Sequence, residues 1–101
     1  MRLTDTCQIT RDGGTYRRPQ WRCEFGHTGG ANPFEPGHTF RYVETARALV
    51  EPDDELAALA SPAGLALVHK GKTYSVTAIL PRYRPGGRLH HVSLDLEAVA
   101  G

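Results

Sequence analysis

The chain has 101 residues, a formal net charge of +1, 40% hydrophobic and 23% charged residues. That length and balance fit one globular domain, residues 1–101, with one modest core. The near-neutral charge counts against a dedicated nucleic-acid binder, which carries a strong basic excess. No apolar run approaches the ~20 residues of a membrane-spanning helix, and Met1-Arg2-Leu3-Thr4 has no signal-peptide character, so synthesis in the cytoplasm is expected.

In chain order, Leu3, Asp5, Cys7 and Ile9 alternate with Thr4, Thr6, Gln8 and Thr10. Period two with β-branched threonines on one parity predicts a first strand with a thin apolar face. Arg11-Asp12-Gly13-Gly14 is a turn, because glycine takes positive φ without penalty. A second strand is expected over 15–25, with Trp21, Cys23 and Phe25 facing inward. Pro19 cannot donate to a ladder, so that strand lies at an edge or is bulged. Residues 1–25 thus read as one hairpin.

From Gly26 to His38 the sequence GHTGGANPFEPGH has no period and many breakers, and it predicts a long loop. Phe34 is its large apolar residue. Thr39 to Val50 reads as a strand, ended by Glu51-Pro52. Asp53, Asp54 and Glu55 then open a short helix near 53–60, with Asp at the cap and acids in the first turn. Leu65 to His69 is a short strand that turns at Lys70-Gly71.

The stretch from Val68 to Val99 is the best patterned. Tyr74, Val76, Ala78 and Leu80 share one parity, and Val92, Leu94 and Leu96 alternate with His91, Ser93, Asp95 and Glu97. Pro81, Pro85, Gly86 and Gly87 punctuate the arms. The whole predicts an all-β, mainly antiparallel fold: a small barrel or sandwich of about six strands with one short helix and a long loop.

Chemistry is sparsely written. Cys7 and Cys23 fall on apolar parities and read as buried thiols. Cys7, Cys23, His27 and His38 lack the paired spacing of a structural zinc site. His90 and His91, as strand neighbours, are expected on opposite faces, unable to chelate together. No serine or cysteine sits in a nucleophile setting, and no glycine-rich phosphate cradle follows a strand. The expectation is a non-enzyme with no catalytic residue, metal or cofactor. Two features remain: the basic, aromatic tip with Arg82, Tyr83, Arg84 and Arg88, and the acidic block of Glu51, Asp53, Asp54 and Glu55. Opposite charges on one small domain suit a head-to-tail contact between identical copies, which gives a ring if the rotation closes.

The opening LTDTCQITR with its glycine turn, the segment VETARALVEP, and GKTYSVTAILPR followed by LHHVSLDLEAV resemble small head-to-tail connector proteins of long-tailed bacteriophages. They are similar in particular to the head-completion, or stopper, proteins. The resemblance implies a small β-barrel assembled as a ring, typically six-fold. Such a ring lies beneath the portal and its adaptor and above the tail terminator or tail tube, at the capsid–tail junction of the virion. It would close the channel after packaging of double-stranded DNA and dock the tail, without catalysis, cofactor or membrane. By position, the channel loop would be the stretch with Gly29, Gly30, Phe34 and Gly37. The ring contacts would draw on Asp53, Asp54, Glu55, Arg82, Arg84 and Arg88. A tail-side ring protein, or a small nucleic-acid-binding barrel, is the alternative.

Overall fold

A computed structural model describes residues 3–31 and 42–100. The sequence alternation becomes seven strands and one helical turn: β1 (Asp5–Arg11), β2 (Gly14–Thr15), β3 (Trp21–Ala31), β4 (Tyr42–Val50), α1 (Asp54–Ala57), β5 (Leu65–His69), β6 (Lys72–Tyr83) and β7 (Leu89–Ala100). All pairings are antiparallel. The sheet runs β2-β1-β3-β4-β7-β6-β5, and β5 returns to pair with β1. Six strands therefore close a barrel, with β2 as an extra edge strand on β1.

The turns explain the hairpins. Arg11 pairs with Gly14 across Asp12-Gly13, and His69 pairs with Lys72 across Lys70-Gly71. In both turns the two central residues have positive φ (50° and 85°; 50° and 79°), the type I′ geometry whose twist matches the strands it joins. At Gly64, also at positive φ, an added Cβ would collide with the Asp12 carboxylate, so two loops meet there. Their backbones are joined by the Asp12 N–H donating to the Gly64 carbonyl at 2.9 Å.

Inward positions fill the interior with Ile9, Trp21, Leu67, Val92, Leu94 and Leu96, all at most 2% exposed. Cys7 and Cys23 are buried free thiols. Their mutual hydrogen bond and burial push the Cys7 thiol upward, away from the reactive thiolate. One end of the barrel is capped by α1, whose Leu56 is fully buried in the core. Asp53 holds this cap. Its side chain is 3% exposed. Oδ1 accepts the Leu56 N–H at 2.9 Å, and Oδ2 accepts from Arg17 Nε at 3.3 Å and from Arg18 Nη2. Arg18 also lies 4.2 Å above the Trp21 ring.

Several expectations change. The strand predicted over 15–25 is split: Gly14–Thr15 pairs with β1, the chain bends through Arg17 to Pro19, and β3 starts at Trp21. Pro19 and the positive φ of Arg17 deny that bend a ladder. The loop expected over Gly26 to His38 is not formed by its first six residues, because β3 continues to Ala31 opposite β4. Glycines supply backbone donors as well as any residue, and a partner strand outweighs their weak β-propensity. In β6 the parity read through Ala78 and Leu80 breaks at a bulge between Val76 and Ala78. Ile79, not Leu80, then packs on the core. Ser93, expected to be wet, is 2% exposed; it lies between Leu49 and Leu80 in register on the outward face.

Because the strands differ in length, closure is incomplete along two of them. β1 pairs with β3 only over Trp21–Cys23, so among the described residues β3 from Gly26 to Ala31 has a neighbour on one side alone. β5 pairs with β6 only up to Ser75, so β6 from Val76 to Tyr83 likewise pairs only with β7. Pro81 lies in this half, where an edge tolerates it.

Replacing Asp53 with Ala removes a helix cap and leaves two arginines without their shared acceptor, and is expected to cost about 2–3 kcal/mol in chemical denaturation. Asp53→Asn keeps the cap oxygen and is expected to lose less.

Candidate functional site

At the end of the barrel opposite α1, the inward parity turns from apolar to ionisable. Asp5 continues the Cys7–Ile9 side of β1, Phe25 and His27 the Trp21–Cys23 side of β3, and His69 the Leu65–Leu67 side of β5. With Glu44 of β4 and Lys72 and Tyr74 of β6, they line a mouth recess of about 450 Å³. Barrel mouths are frequent binding positions.

The groups are tied pairwise. His69, 9% exposed, donates from Nε2 to Asp5 Oδ2 at 2.6 Å and stacks on Phe25 with centroids 4.2 Å apart. His27 Nε2 lies 2.7 Å from Glu44 Oε1. Lys72 donates to the other Glu44 oxygen and sits 5.4 Å above the Tyr74 ring. The His69 hydrogen bond holds the Asp5 carboxyl below the ordinary carboxylate range, helped by the Thr6 N–H. Lys72 does the same for Glu44. Burial, and then the Glu44 charge, push the Tyr74 hydroxyl upward. Chemically the network is a set of charge-assisted ties: β1 to β5 where their ladder has ended, β3 to β4, and β4 to β6 across β7.

A second cluster lies at the other end of the sheet. His90 and His91 were expected to diverge, yet their Nδ1 atoms are 2.7 Å apart. Arg82 pairs with His91 and Tyr83 with Leu89, which leaves His90 as the extra residue of a bulge and turns both rings to one side. Burial, His90 and Arg82 together lower the His91 pKa. Among the described residues no three His, Cys, Asp or Glu side chains converge to hold a metal ion.

The residues singled out by sequence are distributed differently. Gly29 and Gly30 lie within β3, opposite Thr45 and Glu44, and are not loop residues. Phe34 and Gly37 lie outside the described residues, as does the rest of the expected loop from 32 to 38. The acidic block is satisfied internally: Asp53 binds Arg17 and Arg18, Glu51 binds Arg18, and Glu55 binds Arg17. Only Asp54 is exposed without an ion pair among the described residues. Arg82, Arg84 and Arg88 are exposed at the β6–β7 tip, also unpaired among the described residues, around Tyr83 at 61% exposure. That tip and α1 emerge from the same end of the barrel, since Val50, Val92 and Pro81 are level. The mouth residues were missed, although one signal was present: Asp5, His69 and Lys72 are ionisable residues on inward parities at strand ends.

No protein-family model, curated protein or solved structure matches this chain.

The mouth predicts an acid limb of stability. Asp5 and Glu44 ionise more readily folded than unfolded, so the unfolded chain binds more protons and stability rises with pH through the carboxylate range. Their contribution is fully present above about pH 5 and is lost progressively as pH falls through the carboxylate range. Thermal melts between pH 7 and 3 are expected to show this limb, flattened in Asp5→Asn and Glu44→Gln.

Proposed function

We propose that this chain is a structural protein of the neck of a long-tailed bacteriophage, forming a ring between portal or adaptor and tail. In this reading the ring closes the DNA channel after packaging and docks the tail, and it needs no cofactor and no catalysis. Besides the sequence resemblance, the observation that carries it is the pair of incomplete sheet edges, on β3 and β6, at opposite ends of a closed barrel. Two different edges on one subunit are what a heterologous, ring-closing contact requires; an isologous dimer uses one surface twice. Six copies are expected from the resemblance. The resemblance puts the channel-closing element within Gly26 to His38, of which the first six residues belong to β3 and 32–38 lie outside the described residues.

The tip favours one further reading. Three exposed arginines around an exposed tyrosine suit a nucleic-acid backbone and a stacked base. A nucleic-acid-binding barrel would bind single strands with an affinity that falls steeply with salt.

Electron microscopy of the purified chain and of virions separates the readings. A closed ring, and the same ring at the capsid–tail junction, are expected; a ring found only beyond the first tail ring would make it a tail-side protein. Particles whose copies lack residues 32–38 are expected to assemble the ring but lose packaged DNA. Normal DNA retention would remove the channel-closing role.

A further inference from the structure

Resting on the ring reading, we propose that the subunit junction is a continuous antiparallel sheet. The free half of β3 in one copy pairs with the free half of β6 in the next, so the occupant of each edge is a second copy of this chain. Unpaired edges are templates for strand addition, and four features point to this occupant.

Strand direction comes first. β6, β7, β4 and β3 are successive antiparallel neighbours, so β3 and β6 run in opposite directions. Copies set side by side in the same orientation place β3 against an antiparallel β6, and the alternation continues without a break. Length agrees as well: among the described residues the stretches with a neighbour on one side alone are Gly26–Ala31 and Val76–Tyr83.

Charge selects a register. Glu24, just before the free half of β3, is exposed, and Arg84, just beyond β6, is exposed and unpaired among the described residues. Pairing Glu24 with Arg84 sets Gly26 opposite Arg82. Both positions are exposed on the outward face, so the two sheets meet with their pleats in phase. Recesses adjoin both edges, one along Glu24–Thr28 and a larger one between residues 61–66 and Ser75–Thr77.

Closure also follows. Through Arg47, Gly26 is level with Asp95 on β7, whereas Arg82 is level with His91. Each junction is thus offset by four residues, about 13 Å, over four strands, about 19 Å. Strands inclined at roughly 35° to the ring axis cancel that offset, and this is the inclination at which β-barrels close. At that inclination the copies would form a flat ring, and at another they would climb into a filament.

The test is disulfide cross-linking of the purified full chain with Gly26→Cys and Arg82→Cys. A Cβ at Gly26 meets open space, and the native thiols are buried. Oxidation of the double variant is expected to give a ladder of linked species up to the ring, and each single variant none. Glu24→Arg is expected to reduce the assembled fraction about tenfold, with recovery on adding Arg84→Glu. Closed rings without a ladder overturn this junction and leave the ring reading standing. Dimers from either single variant mean an isologous contact and also overturn it. A chain that stays monomeric at high concentration in light scattering, in the unsubstituted protein, removes the ring reading itself.

Discussion

The Asp53 carboxylate is the interaction on which the rest of this small barrel depends. A nearly inaccessible carboxylate is costly unless its oxygens are fully used, and here one oxygen caps α1 while the other receives Arg17 and Arg18. The helix is a single turn and could not persist alone. Fixed by Asp53, it delivers Leu56 to the core and closes one end of the barrel. The same contact anchors the bend between β2 and β3 and sets the Arg18 guanidinium over Trp21. A charge pair thus organises the apolar end, since it joins two segments that share no strand ladder.

The opposite end is built on the reverse principle. Its inward positions are ionisable, and their energy depends on pairing with one another in partial contact with water. These ties hold strands together at the level where β1 no longer pairs with β5, so polar contacts take over where the backbone ladder gives out. Between the two ends lies the continuous apolar interior, with a buried thiol pair in which the shared hydrogen bond pushes the Cys7 thiol up and the Cys23 thiol down.

The unequal strand lengths connect this architecture to the proposed assembly. β3, β6 and β7 have 11, 12 and 12 residues against 7 in β1 and 5 in β5, so a six-stranded barrel closes around their shared middle and leaves opposite halves of β3 and β6 projecting. In an isolated subunit such edges are a liability; in a ring they become the contact. The acidic block is drawn into the Asp53 latch, which leaves Glu24 as the proposed counterpart of the basic tip.

The period-two alternation, the Asp-Gly and Lys-Gly turns, and the Asp53 cap with its acidic first turn were legible from sequence alone, because each is a local rule acting on near neighbours. They gave most of the strands, the position of α1 and the small all-β barrel. What the tertiary structure decided depends on partners distant in sequence. Gly26 to Ala31 became strand because β4 lies beside them, the parity of β6 slipped because its pairing with β7 bulges, and His90 met His91 for the same reason. Asp53 turned from a surface acid into a buried one because Arg17 and Arg18, some 35 residues earlier, fold onto it. The mouth cluster gathers residues from five strands, and no local pattern brings five strands together; only closure of the barrel does.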